Sequence, residues 1–373
     1  MMIFETQCGD RLHFYKQSLI LMFGGKRNTI STSPLNGGYH ENLSYIYNND
    51  CKLGAGMGCK LKADTYEEHL AVLARELGLE PEHCSGMGTA ASMENVSIKT
   101  RTHGDLAVTA IVTGGIETNG GRVGDPASWD EWANRHKKMS HGTINIILVI
   151  DANVPAGTLT RTLVTTTEAK TAAIQELMGG SNYSNDLATG SGTDGTIIVG
   201  NMDSPMTLTN AGKHSKLGEI IGLAVKEAVK EALYKQTGLS PKSQHCVLAR
   251  LKRYGITLDT LWEKYQKLEQ KGQTLIKPDF VHAMETLSKR DDLLAPISAV
   301  IHLMDQYRWE LLKADETLFA IQQILVQTSN HFDIERKATG LDKLNGNLVE
   351  VMLGQLSELL LELLNSPKFL KQE

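Results

Sequence analysis

Apolar residues in the first two thirds of the chain fall into short runs separated by polar, glycine-rich stretches. "SLILMF" (18–23), "LAVTAIVTGG" (106–115), "TINIILVID" (143–151) and "GTIIVGN" (195–201) each predict a buried or half-buried strand. Between them the period lengthens to that of a helix. "TYEEHLAVLARELGL" (65–79) puts Leu70, Leu73, Ala74 and Leu77 on one face. "GEIIGLAVKEAVKEALYKQTG" (218–238) ends on Gly238, placed as a C-cap. "LTRTLVTTTEAKTAAIQEL" (159–177) carries a stripe of Leu159, Leu163, Thr167, Lys170, Ile174 and Leu177. Strands alternating with helices predict a layered sandwich of the α/β or α+β class.

One member of the last stripe is a cation. A lysine on an apolar face commonly lays its methylenes along the core and lifts its ammonium into water, or pairs with an acid. The sharper alternative is an amine held in a pocket and available as a base. The stripe alone leaves both open.

Near "TGLSPKSQ" (237–244) the composition shifts and glycine thins out. "VLARLKRYG", "TLDTLWEKYQKLEQKG", "DDLLAPISAVIHLMDQYRWELLKA", "ETLFAIQQILVQTSN" and "LVEVMLGQLSELLLELLN" follow as amphipathic helices. The chain therefore divides into an α/β domain over 1–240 and an all-α domain over 245–373. The second holds no motif that carries chemistry, and its pattern fits packing or self-association into a homo-oligomer.

Composition narrows the function classes. A length of 373 residues suits two domains, and 41% hydrophobic with 22% charged residues is ordinary for a globular protein. A net charge of −5 without a basic run excludes an evident nucleic-acid or membrane-surface partner. The apolar run "LILMF" (19–23) is too short for a signal h-region or a membrane span. Cys8, Cys51, Cys59, Cys84 and Cys246 are scattered, which suggests reduced thiols and a cytoplasmic location.

Candidate chemistry lies in five polar-glycine clusters: "STSPLNGGYHEN" (31–42), "GMGTAASMEN" (86–95), "IVTGGIETNGGRVG" (111–124), "HGTINI" (141–146) and "DLATGSGTDGT" (186–196). Glycine lets backbone N–H groups approach a ligand, and Thr, Ser and Asn add uncharged donors and acceptors. Clusters at strand ends can converge on one polar pocket. The binding candidates are Asn36, Gly37, Gly38 and Asn42 in the first cluster and Thr89 in the second. Thr113, Gly114 and Gly115 follow in the third, Asn145 in the fourth, and Thr189, Gly190, Gly192 and Thr193 in the last. "GAGMGCK" (54–60) matches neither the dinucleotide fingerprint nor the P-loop, and the twelve histidines show no zinc-site spacing.

The content and order of "STSPLNGGYHENLSYIYN", "GMGTAASMENV", "AIVTGG", "GTINIILVI", "TTTEAKTAAIQEL" and "YSNDLATGSGTDGTIIV" resemble the adenosylcobinamide amidohydrolases of corrinoid salvage, over about residues 17–235. The resemblance implies hydrolysis of the amide joining a corrin propionate to aminopropanol, which releases adenosylcobyric acid. It implies no cofactor bound by the protein itself, since the cobalt arrives within the corrinoid. Two other readings remain: a corrinoid carrier without chemistry, and an amidohydrolase acting on a complete corrinoid. The segment from "HGTINIILVID" to "TEAKTAA" is also similar to the part of the β-peptidyl aminopeptidases that carries their self-exposed serine. That similarity implies two sheets covered by helices, with Gly142-Thr143 at the serine's step.

An amide needs a nucleophile or an activated water, a base, and donors for the oxyanion. Thr143 opens the most apolar strand, with Asn145 two residues on, and the following helix carries Lys170. Lys170 is expected to activate or position Thr143, or to hold a carboxylate such as Asp194. Glu168 lies off the stripe, as a solvated acid or an activator of water. His141 is a further candidate base.

Overall fold

Hydrophobic alternation resolves the first part of the chain into two sheets. The chain begins with β1 (Met2–Glu5), β2 (Arg11–Tyr15) and β3 (Ser18–Met22), crosses through β4 (Arg27–Ser31) and β5 (Gly38–His40), and returns as β6 (Tyr45–Asp50). Helix α1 (Tyr66–Glu76) leads to β7 (Cys84–Thr89), β8 (Ser97–His103) and β9 (Leu106–Gly115). Three two-residue strands follow, β10 (Gly120–Gly121), β11 (Trp129–Asp130) and β12 (Arg135–His136). Then come β13 (Thr143–Ile150), α2 (Ala156–Glu176), β14 (Gly190–Ser191), β15 (Gly195–Asn201) and α3 (Lys216–Thr237). The computed structural model describes residues 1–52, 59, 61–130, 132, 135–136, 142–268, 275–336, 348–364 and 366. His141 and most of "GAGMGCK" lie outside the described residues.

One sheet runs β1-β2-β3-β6-β7 and the other β5-β4-β15-β13-β9-β8. At the centre of the second, β13 is parallel to β15 and antiparallel to β9. Every residue of β13 is buried, because both of its faces are covered. Ile147 and Val149, with Ile111, Ile197 and Val199, pack onto Leu19, Leu21, Ile46 and Met87 of the first sheet. Ile144, Ile146, Leu148 and Ile150 turn the other way and pack under α2 and α3. Leu70, Leu73 and Ala74 of α1 cover Ile20 and Tyr47 on the outer face of the first sheet. The layers are therefore helix, sheet, sheet, helices, the covered sandwich that the strand–helix alternation and the aminopeptidase-like segment imply.

The predicted strands and helices form within a few residues of their expected ends. Thr65 caps α1 in a capping box with Glu68, and Gly238 closes α3 in the left-handed conformation at φ 74°. The stripe on α2 is rotated from the expected one. Thr158, Leu159, Thr162, Thr165, Thr166, Ala169, Lys170, Ala173 and Ile174 are buried, whereas Leu163 is half-buried and Thr167 is exposed. A face of Thr and Ala lets α2 approach its neighbours closely. Two of its threonine hydroxyls close onto carbonyls, while the buried Thr166 hydroxyl has no hydrogen-bond partner among the described residues. Thr162 donates to the Thr158 carbonyl at 3.0 Å, and Thr165 to that of Ala211 at 2.7 Å.

A polar seam joins the two sheets inside the apolar layer. Asn48 Nδ2 donates to Thr113 Oγ1 at 2.8 Å, and Asn145 Nδ2 to Asn48 Oδ1 at 2.8 Å and to the Gly88 carbonyl at 3.1 Å. The Gly195 N–H closes the seam on Asn145 Oδ1 at 3.1 Å.

The cysteine expectation is corrected at one place. Cys51 and Cys59 form a disulfide, with Cα atoms 5.0 Å apart. Lys52 and Cys59 also pair in an antiparallel bridge, a local pairing that a spacing of eight residues did not reveal. Cys8, Cys84 and Cys246 are free.

The chain divides into two compact units, Met1–Ser240 and Pro241–Glu373. The described part of the second unit is helical: α4 (Val247–Leu251), α5 (Leu258–Leu268), α6 (Lys277–Ser288), α7 (Asp291–Arg308), α8 (Ala314–His331) and α9 (Leu348–Leu363). Leu251, Phe280, Ile297, Leu325 and Leu356 belong to one core. Helix α6 is an element the sequence reading passed over. Within this core a buried Arg253–Asp305 pair is completed by Tyr254, whose hydroxyl donates to Asp305 at 2.6 Å. Among the described residues no helix is long and apolar enough to cross a membrane.

Two outcomes follow from this packing. A chain ending at Ser240 is expected to fold alone, checked by circular dichroism and gel filtration; insoluble protein would show that the units depend on each other. Asn145→Ala strands partners on both sheets and is expected to cost about 3 kcal/mol, read from urea unfolding of that shorter chain.

Candidate active site

The buried face of α2 turns Lys170 inward, where its ammonium pairs with Asp194 Oδ2; both side chains are 11% exposed. Asp194 lies between β14 and β15 and gathers further donors. Its Oδ1 accepts the Ile144 N–H at 2.8 Å and Ser191 Oγ at 2.7 Å, while Oδ2 also accepts the Ser191 N–H at 3.0 Å. Four donors from α2, β13 and β14 thus converge on one carboxylate. Bonding of this kind is what makes a poorly solvated charge tolerable. Gly190 is required here, because a Cβ would overlap Asp194 Oδ2 and approach Lys170 Nζ to 2.9 Å.

This cluster forms one wall of a cavity of about 740 Å³. Thr171, Thr189, Gly190, Ser191 and Gly192 continue that wall, and Val123, Pro126, Ala127 and Trp129 supply apolar surface. Among the described residues the charged lining groups are Arg122, Lys170, Asp125 and Asp194, two of each sign. Arg122 Nη1 donates to the Leu187 carbonyl at 3.2 Å. Asp125 Oδ2 accepts Ser181 Oγ at 2.6 Å and the Arg122 N–H at 2.7 Å. Burial opposes the charge on Asp125, but hydrogen bonds from Ser181, Ser184 and the Arg122 backbone, with the Arg122 charge, hold its carboxyl below the usual range. Tyr183 donates to Asn119 Oδ1 at 2.6 Å, and Asn119 Nδ2 to the Gly142 carbonyl at 2.9 Å, fixing the entry to β13. Among the described residues no group of His, Cys, Asp and Glu could hold a metal ion.

The structure brings some of the sequence candidates together and leaves others apart. Lys170, Asp194, Thr189, Gly190 and Gly192 share the cavity wall. Thr143 is 2% exposed, and its hydroxyl donates to the Thr193 carbonyl at 2.6 Å rather than meeting Lys170. Thr193 Oγ1 in turn donates to the Gly142 carbonyl at 2.9 Å. Thr113 and Asn145 face each other in the seam between the sheets. Thr89 caps its own turn by accepting the Ala91 N–H at 2.9 Å, and Gly114 and Gly115 end β9. Asn36 ties its loop to the Pro81 and Cys84 carbonyls, both at 2.7 Å, with Gly37 and Gly38 following and Asn42 exposed. Glu168 pairs with Lys213 at 3.1 Å on the exposed side of α2. The sequence reading passed over Asn119, Arg122, Asp125 and Tyr183, and Ser191 within "TGSGTDG". A signal was present for Ser191, a hydroxyl flanked by glycines, and for Asn119 and Arg122 on either side of Gly120-Gly121 in a polar-glycine cluster, whereas Asp125 and Tyr183 lay outside the clusters.

The profile of the adenosylcobinamide amidohydrolase family matches residues 4–241. The chain belongs to that family. A relative from Methanocaldococcus jannaschii, itself uncharacterised, is 33% identical over 231 residues, covering 59% of this chain and 87% of its own length. A crystal structure of a Pyrococcus horikoshii protein covers 64% of this chain and 85% of its own, at 15% identity and a TM-score of 0.31, too slight a likeness to carry an argument. The family match covers the sandwich and stops at the unit boundary, so the helical unit owes nothing to it.

The depressed Asp125 carboxyl sets a pH dependence for the family's domain in this chain. A group with a lowered folded pKa stabilises above its unfolded value, near pH 4, and loses that contribution as pH falls through the folded value. Wild type minus Asp125→Asn is therefore expected to shrink on acidification from about pH 6 to about pH 3, followed by urea unfolding. A pH-independent difference would show that the Asp125 charge does not contribute.

Proposed function

We propose that the sandwich domain hydrolyses the amide between a corrin propionate and aminopropanol in adenosylcobinamide, releasing adenosylcobyric acid. The observation that carries this reading is the Lys170–Asp194–Ser191 cluster on the wall of a cavity whose charges, among the described residues, cancel. A ligand fringed with neutral amides suits such a wall, since uncharged donors and acceptors can match it group for group. Val123 and Trp129 give the macrocycle an apolar surface. The cobalt belongs to the substrate.

Roles follow from what each group is already bonded to. Lys170 is tied to a carboxylate, so it serves as an electrostatic donor to the carbonyl oxygen rather than as a free amine. Ser191 is the hydroxyl that shares Asp194 with it. In this reading Ser191 Oγ attacks the amide carbon while its proton passes to Asp194 Oδ1. The oxyanion forms against the Lys170 ammonium. The proton then goes to the aminopropanol nitrogen as the C–N bond breaks, and water hydrolyses the seryl ester. Thr143, closed onto Thr193, holds the loop that carries Asp194.

Purified protein incubated with adenosylcobinamide is expected to yield adenosylcobyric acid and aminopropanol, identified by mass. Binding without product would make it a carrier, and preference for a complete corrinoid in competition would move the substrate. Lys170→Met and Ser191→Ala are each expected to lower kcat by about a hundredfold or more with the fold intact. Thr143→Val is expected to retain most of the turnover, and the reverse ranking of Ser191 and Thr143 would assign the attack to the threonine.

A further inference from the structure

A second hollow, about 660 Å³, lies between α2 and α3. Thr167 and Thr171 line both it and the first cavity, so a ridge of α2 lies between two adjoining spaces. Two glycines of α3 face this trough, one helical turn apart, and only one has a packing reason. A Cβ on Gly218 would overlap the Gly212 carbonyl, whereas a Cβ on Gly222 would meet nothing within 4 Å. Glycine inside a helix is destabilising relative to alanine. At Gly222 that cost brings no closer packing; what it leaves is an open floor in the trough.

We propose that this trough receives the adenosyl group of the corrinoid while the scissile amide lies over Lys170 and Ser191. The proposal rests on the corrinoid reading above and assigns a subsite within it. Size is the first reason: cavities of 300 to 1,000 Å³, roughly, enclose drug-sized ligands, and a corrin carrying a nucleoside exceeds that class. The first cavity, at about 740 Å³, falls within that class, whereas the two spaces that share a ridge extend beyond it. Charge is the second reason. The cations that line the trough are already paired, Lys213 with Glu168 at 3.1 Å and Lys226 with Glu176 at 2.9 Å. A phosphate arm would find no unpaired partner among these lining residues, whereas a neutral nucleoside needs none. Ala172 and Leu223 offer an apolar surface to a purine face, and the Gln175 amide offers the donor and acceptor pattern that matches an adenine edge.

The test compares adenosylcobinamide with cobinamide carrying cyanide in place of the adenosyl group, using equilibrium dialysis followed by corrinoid absorbance. Wild-type protein is expected to bind the adenosyl form about tenfold more tightly. Gly222→Leu fills the trough without meeting a neighbour at Cβ, and should remove that preference while leaving the cyanide form within about twofold. Gln175→Ala, an exposed change that leaves the core untouched, should weaken the same ligand in the same direction. Equal wild-type affinities, or a Gly222→Leu effect that is nil or the same for both ligands, would overturn the assignment. Aminopropanol release is measured on the same samples. The expected binding pattern without release would leave the subsite standing and remove the amidase reading; release with no adenosyl preference would do the opposite.

Discussion

The candidate site depends on how one carboxylate is satisfied. Asp194 is largely withdrawn from water, and removing a charge from water costs several kcal/mol unless its lone pairs find donors. Its donors come from three separate elements: the Lys170 ammonium on α2, the Ile144 amide at the start of β13, and the amide and hydroxyl of Ser191 on β14. Each can reach only if the other elements are in place. The carboxylate therefore acts as a pin through helix, central strand and loop, and it orients the one serine that shares it.

Small residues make that pin possible. The buried face of α2 is built from Thr and Ala with few large side chains, so the helix lies close enough for one lysine to reach the loop beyond it. Gly190 leaves room for the ion pair where any side chain would intrude. Several hydroxyls of α2 close onto carbonyls, as Thr162 does onto Thr158 and Thr171 onto Thr189. The same economy of volume leaves space on the outer side of α2, where Gly222 opens the second trough.

The polar seam between the sheets performs a different task. Two apolar sheets can slide with little change in buried area, whereas Asn48, Thr113 and Asn145 bond only in one register. Their hydrogen-bonding capacity goes to the fold, which is why polar residues on the central strands do not line the cavity. The buried Arg27–Asp10 pair, with Arg27 also donating to Asn201 at 2.8 Å, ties the β1–β2 turn to the second sheet in the same way.

Periodicity was enough to read the most apolar strands and the helices. The pairing of two sheets was implied only by the aminopeptidase-like segment, and β1, β2, β6 and β7 of the first sheet carried no pattern that was read as a strand. Continuous apolar strands such as "TINIILVID" and the 3.6-residue rhythm of α1 and α3 reflect burial on two faces or on one, a local property carried by every residue of the element. The order of the glycine clusters was enough to read the family. What lay beyond the sequence was direction and partnership. Thr143 and Ser191 are both small hydroxyls beside glycine, and only the fold turns one onto the Thr193 carbonyl and the other onto Asp194. Asn145 and Thr189 carry similar chemistry, yet the strand pleat sends one between the sheets and the loop brings the other to the cavity. A rotation of the α2 face by one residue decided which threonines are buried. Hydrogen bonds are short-ranged and directional, so their partners are fixed by distant elements that no local pattern records.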